Sequence, residues 1–158
     1  MLVFREHATV EDLKAIEDIL RSSGFFYEIE IPVAVSLLEA YLEEGDASGY
    51  HFIFADVDGK TVGYTCYGEI AGTESSYDLY WIAMHNECRG KGIGKQLLEK
   101  THEVIRSKGG MLVVAETSSQ EKYLPTRQFY LSTGYKEEGF VKDFYKPGDG
   151  RLTYVKRF

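Results

Sequence analysis

Residues 77–116 place the tightest constraint on what this chain can fold into. Residues 77–84 read as a strand, 89–95 spell Arg-Gly-Lys-Gly-Ile-Gly-Lys, a helical pattern runs over 94–108, and 111–116 form a continuous apolar run. A strand, a tight loop, a helix and a second strand make a crossover, the connection that parallel strands require. Leu97, Leu98, Thr101 and Ile105 fall on the inner face of that helix, and Gly109 stops it. The 111–116 run suits a buried parallel strand.

The flanking segments are antiparallel in character. Residues 2–6 read as a strand. A helix follows, capped by Thr9 with Asp12 as a short capping-box partner, apolar at Leu13, Ile16 and Leu20, and stopped by Gly24. Pro32 opens a second helix that Gly45 closes. Residues 51–57 and 60–68 form a hairpin across Asp58 and Gly59. Pro125 opens a short helix ending at Gly134, and strands over 135–145 and 151–157 are joined by a Pro147-Gly148-Asp149-Gly150 turn. The expected class is α/β (α+β): a mixed, mostly antiparallel seven-stranded sheet with about four flanking helices. No linker or repeat interrupts 158 residues, so one domain over 1–158 is expected.

Charge and composition narrow the function. A net charge of −7 leaves no broad basic face for nucleic acid. No apolar run is long enough to span a membrane, and the first residues carry no signal-peptide pattern. Cys66 and Cys88 show no paired spacing, which points to a reduced, cytoplasmic protein. His85 and Cys88 have a His-x2-Cys spacing with no second pair, so no metal is expected.

The chemistry concentrates at residues 89–95. Gly90, Gly92 and Gly94 allow close backbone approach and aim successive N–H groups at one point, and the following helix adds partial positive charge. Arg89, Lys91 and Lys95 supply cations, with no acid between Glu87 and Glu99. This is an anion cradle in an acidic chain. A nucleoside-triphosphate loop fails because Gln96 follows Lys95. A dinucleotide fingerprint fails because its third glycine would fall on Lys95 or Leu97. The pattern that fits is Arg/Gln-x-x-Gly-x-Gly/Ala.

That motif, the strand before it and the later Gln128-Phe129-Tyr130-Leu131-Ser132-Thr133-Gly134-Tyr135 resemble the GNAT superfamily of acetyl-coenzyme A-dependent N-acetyltransferases. The resemblance follows element order along the whole chain, with its specific motifs between 77 and 135. It implies a sheet splayed between the fourth and fifth strands and acetyl-coenzyme A as co-substrate. It also implies that Arg89, Gly90, Lys91, Gly92, Ile93, Gly94 and Lys95 bind the coenzyme pyrophosphate, while backbone groups of Ile82, Ala83 and Met84 hold pantetheine and the thioester carbonyl. Tyr130 would protonate the departing thiolate. Asp78 would be the base, with Glu116 and Glu69 as rivals. Tyr123 stands where the family often has an asparagine contacting pantetheine. Phe26, Tyr27, Glu69 and Tyr80 would line the acceptor site.

The implied reaction moves an acetyl group to a primary amine of a small molecule or peptide. A longer acyl group and a non-catalytic acyl-coenzyme A-sensing module are the alternatives. Dimers are common in the family, so a homodimer is among the expected states. The acceptor lies in the variable loops of such a fold.

Overall fold

The computed structural model describes residues 1–158. Its elements run β1 (Leu2–Arg5), α1 (Glu11–Ser23), α2 (Glu30–Glu44), β2 (His51–Val57), β3 (Lys60–Glu69), β4 (Ser76–Met84), α3 (Ile93–Ser107), β5 (Leu112–Ser118), α4 (Leu124–Ser132), β6 (Lys136–Lys146) and β7 (Asp149–Arg157). The seven strands form one sheet in the order β1-β2-β3-β4-β5-β7-β6. β4 and β5 are parallel, as a helical crossover requires, whereas β1–β2, β2–β3, β5–β7 and β6–β7 are antiparallel. The β4–β5 ladder runs from Ser76↔Leu112 to Leu79↔Ala115. It stops there, five residues before β4 ends at Met84, and the sheet splays at this point.

The chain makes two compact units. Met1–Gly68 with Tyr80–Val104 form one, and Glu69–Leu79 with Ile105–Phe158 form the other. The core of the first combines Ile16, Ile19 and Leu20 of α1, Ala34 and Leu38 of α2, and Phe52, Phe54, Tyr64 and Cys66 of β2 and β3. β3 is buried at every position from Val62 to Gly68, so both of its faces are covered. On its other face the Thr65 and Thr101 hydroxyls meet at 2.8 Å, satisfying two polar groups inside the α3 contact. The second unit is built around Val113 and Ala115 of β5 and a ring cluster in which Tyr130 lies 5.2 Å from Tyr135 and 5.8 Å from Tyr154.

Helix ends show where tertiary partners adjust local expectation. The expected Thr9 side-chain cap does not form, since α1 follows Val10 with no side-chain cap; only the reciprocal half of the box is made, the Thr9 N–H donating to the Asp12 carboxylate at 2.8 Å. Asp12 is also held by Arg5, through two bonds of 2.9 and 2.6 Å, and Arg5 continues to Asp56 at 2.7 Å. Burial pushes the Asp12 carboxyl up, but the bonds from Arg5 and Thr9 outweigh it and hold it below the usual aspartate range.

α2 begins at Glu30 rather than Pro32, because the Glu30 carboxylate accepts the Tyr27 N–H at 3.0 Å and nucleates the turn earlier. Pro32 is tolerated there since the first helical N–H groups have no intrahelical partner. The last hairpin is also tighter than expected. Asp149 and Gly150 belong to β7, drawn in by the Ser118 hydroxyl donating to Asp149 and the Gly150 N–H donating to Ser119 Oγ at 2.8 Å.

Candidate active site

β4 hands the chain to the glycine-rich loop through a short 3₁₀ turn, Asn86–Cys88. Two bonds fix this approach. The His85 N–H donates to Val62 O at 2.7 Å, and the Asn86 N–H donates to Ser22 Oγ at 3.0 Å. His85 Nδ1 accepts the Glu87 N–H at 3.2 Å.

Gly90 and Gly92 adopt left-handed conformations, with φ of 76° and 77°. A Cβ at either would meet no heavy atom within 4 Å, so the space on that side of each residue is open. Gly94 differs: its φ is not positive, and a Cβ would rest 3.5 Å from Met84 Cγ, an ordinary contact. A methyl group is sterically tolerable there, in keeping with Gly/Ala at the last position of the motif. Met84 also fills the space over Gly63, where a Cβ would come within 2.2 Å of its sulfur. The loop thus starts from a strand end packed against β3.

The cations of the loop remain available. Arg89, Lys91 and Lys95 appear in none of the ion pairs, which draw on other side chains. Arg89 lies over the Phe25 ring, 4.3 Å from its centroid. Partial desolvation lowers the pKa of its guanidinium, with no carboxylate to offset it. Three cations, two left-handed glycines and the start of α3 are thus neighbours along the chain, an arrangement suited to a polyanionic group.

The other expected residues fall into two sets. In the first unit, Ile82 and Met84 are half-buried and Ala83 is buried, Phe26 packs on Trp81 at 5.2 Å, Tyr80 lies 5.4 Å from Tyr50, and Tyr27 is exposed. In the second, Tyr130 is buried, and burial pushes its phenol well above the ordinary tyrosine value. Glu69 accepts the Tyr77 hydroxyl at 3.1 Å, and Glu116 pairs with Arg151 at 3.1 Å. Asp78 is half-buried and sits opposite Val114 in the β4–β5 ladder. Tyr123, at the departure from the family pattern, is half-buried beside Lys122.

Sequence reading missed the stacking of Arg89 on Phe25 and the arginine partner of Glu116. Neither leaves a local signal, since the partners are far apart in the chain. No helix is long and apolar enough to cross a membrane.

A β4–α3–β5 crossover with a cation-lined glycine loop at the head of α3 is the arrangement of an α/β protein suited to a phosphorylated ligand. The acetyltransferase (GNAT) domain family matches residues 48–137. A crystal structure from Desulfovibrio desulfuricans, assigned to the GNAT acetyltransferases, superposes with a TM-score of 0.97 at 39% identity, covering 99% of each chain. An uncharacterized N-acetyltransferase of Methanocaldococcus jannaschii is 25% identical over 149 residues, 93% of this chain and 86% of its own. The PaiA N-acetyltransferase of Thermoplasma acidophilum, solved with coenzyme A, shares the fold with a TM-score of 0.77 at 20% identity, covering 100% of this chain and 99% of its own. The chain belongs to the GNAT family of acetyltransferases and is an acyltransferase.

Proposed function

We propose that this protein transfers an acetyl group from acetyl-coenzyme A to a primary amine of a small molecule or peptide, by direct attack. It would act as one domain over 1–158 in the cytoplasm, where its two free thiols, Cys66 and Cys88, stay reduced. The observation that carries the reading is the loop: Gly90 and Gly92 are left-handed with open space where a side chain would sit, among three cations that no carboxylate neutralises.

The residues present fit a coenzyme diphosphate. Arg89, Lys91 and Lys95, with the amides of residues 90–95, would hold it, each charge-assisted bond contributing about 1.5–3 kcal/mol. Acetyl-coenzyme A supplies the activated acyl thioester. The backbone of Ile82, Ala83 and Met84 lies beyond the end of the β4–β5 ladder, which supports its use for pantetheine amides and for polarising the thioester carbonyl. Phe26, Tyr27, Glu69 and Tyr80 would form the acceptor wall.

Transfer forms the C–N bond and breaks the C–S bond, and two protons must move. Tyr130 would give its proton to the departing thiolate. The phenol is protonated throughout the neutral range, as a proton donor must be. The ammonium proton must leave the acceptor before attack, at a cost of about 4–5 kcal/mol at pH 7 for a lysine-like amine. Asp78 is the proposed acceptor of that proton. Glu116, which pairs with Arg151, and Glu69, which accepts the Tyr77 hydroxyl, are its rivals.

A thiol-release screen tests this reading. Purified protein is given acetyl-coenzyme A, or a longer acyl-coenzyme A, with a broad panel of amines. Amine-dependent release favouring the acetyl donor is expected. Binding of acetyl-coenzyme A without release on any amine would refute catalysis, and a preference for the longer donor would refute the acetyl assignment.

A further inference from the structure

Arg89 opens the loop motif, yet nothing in the loop itself aims its side chain. A free arginine side chain carries about 2 kcal/mol of rotamer entropy, which a ligand must overcome when it captures the guanidinium. Here part of that ordering is already present. The guanidinium carbon lies over an aromatic ring, 4.3 Å from the Phe25 centroid, and Arg89 is in none of the ion pairs. Its N–H donors are therefore held in place and left for an anion.

The backbone that carries the ring is set by the end of α1. Gly24 turns the chain left-handed with φ of 70°, and the Phe25 N–H donates to Ser23 Oγ at 3.3 Å. One residue earlier, Ser22 Oγ accepts the Asn86 N–H at 3.0 Å. The same helix end thus grips the 3₁₀ turn that leads into the loop and presents the ring beneath the loop's first cation. Phe26, next along, packs on Trp81 of β4. Two adjacent aromatics thus pack on neighbouring segments, one on the arginine of the loop and one on the strand before it.

We propose that Phe25 is a positioning residue for the diphosphate of the acyl-coenzyme, acting through Arg89: the ring holds the guanidinium in its anion-binding pose before the ligand arrives. The inference rests on the coenzyme reading given above and adds a residue outside the loop motif. It also makes the connection between α1 and α2 a determinant of donor affinity.

The test is a double-mutant cycle on Phe25→Leu and Arg89→Ala, read by calorimetric titration with coenzyme A and by steady-state kinetics. Phe25→Leu keeps an apolar side chain and removes the ring. It should weaken coenzyme A binding by about 2- to 30-fold, the span of a cation–π contact from exposed to desolvated. The apparent KM for acetyl-coenzyme A should rise by more than kcat falls. In the Arg89→Ala background Phe25→Leu should change affinity by less than 2-fold, and Phe25→Tyr should restore wild-type binding in the native background. Equal losses from Phe25→Leu with and without Arg89, or a loss that Phe25→Tyr does not rescue, would overturn the proposal and leave the coenzyme reading intact. Failure of the wild type to bind coenzyme A at millimolar concentration would overturn both.

Discussion

Replacing Gly92 by aspartate or by asparagine separates the conformational role of this glycine from its electrostatic one. Both side chains meet open space, since a Cβ at Gly92 finds nothing within 4 Å. Both must adopt φ near 77°, a left-handed conformation that costs an ordinary L residue about 1–2 kcal/mol and asparagine or aspartate less. Folding should therefore survive either change, with a modest loss of thermal stability shared by the pair. The two differ in charge alone. A carboxylate about 5 Å from one phosphate charge, at an effective dielectric constant of about 20, is repelled by about 3 kcal/mol. That corresponds to more than a 100-fold loss. In calorimetric titration with coenzyme A, Gly92→Asn should stay within about 10-fold of wild type, the strain setting that limit. Gly92→Asp should fall a further 100-fold or more, and the gap should narrow as salt is raised. Gly94→Ala is the internal control. Its new methyl group makes only an ordinary contact with Met84, so binding should stay within about 3-fold of wild type. Equal affinities for Gly92→Asp and Gly92→Asn would show that no anion binds before this backbone.

Other perturbations test the remaining roles. Tyr130→Phe keeps the ring contacts with Tyr135 and Tyr154 and removes the proposed acid, so kcat should drop by about 100-fold with little change in coenzyme affinity; unchanged turnover across pH would remove Tyr130 from the mechanism. Arg5→Met strands the buried Asp12 carboxylate and should cost about 3 kcal/mol in urea unfolding at pH 7, near the low end for a broken buried pair because Arg5 is partly exposed; Asp12 is held below its ordinary value, so the loss should shrink as pH falls below about 4, and a pH-independent loss would refute the pairing. Burial raises the Tyr64 phenol and the Cys66 thiol, so the unfolded chain ionises first and stability should fall as pH climbs past about 9–10. Tyr64→Phe should flatten that fall without lowering stability at pH 7, because the Tyr64 hydroxyl has no hydrogen-bond partner to lose; a destabilised variant at pH 7 would contradict this.

Much of the architecture was legible because its signals are local. Asp58 and Gly59 carry a turn signal readable from those two residues alone, although Met1 also bonds Asp58, and the apolar faces of α1 and α3 follow from helical spacing. The misread boundaries have two causes, a partner elsewhere in the chain and a cap of an unexpected type. The polar run 147–150 reads as a turn until Ser118 and Ser119, about thirty residues earlier, draw Asp149 and Gly150 into a strand. Pro32 looks like a helix start because nothing in its own chemistry announces that Glu30 reaches back to the Tyr27 amide. The same division runs through the candidate site. The anion loop is contiguous and could be read directly, whereas the pairing of Glu116 with Arg151 and the stacking of Phe25 beneath Arg89 depend on packing that no motif encodes.

β4 shows this division most sharply. Its sequence is one unbroken strand pattern from Ser76 to Met84, and no residue marks a change of role at its midpoint. Up to Leu79 burial alternates, and β5 supplies ladder partners as far as Ala115. From Tyr80 onward the alternation fails: Tyr80 is exposed, and Trp81 and Ile82 are half-buried in succession. Peptide groups on a strand that has lost one neighbour must bond to water or to a ligand that presents its own amides, because leaving them bare costs as much as a lost hydrogen bond. A pantetheine arm carries such amides. A diphosphate held before Gly90 and Gly92 would lie a few residues further along the chain from that released backbone. The break in the ladder therefore bears on function as well as on shape. If it is the donor site, coenzyme A should slow hydrogen exchange at the Ile82–Met84 amides as well as in the loop, while Ser76–Leu79, already paired, stays unchanged. Protection confined to residues 89–95 would mean that the opened strand serves some other ligand.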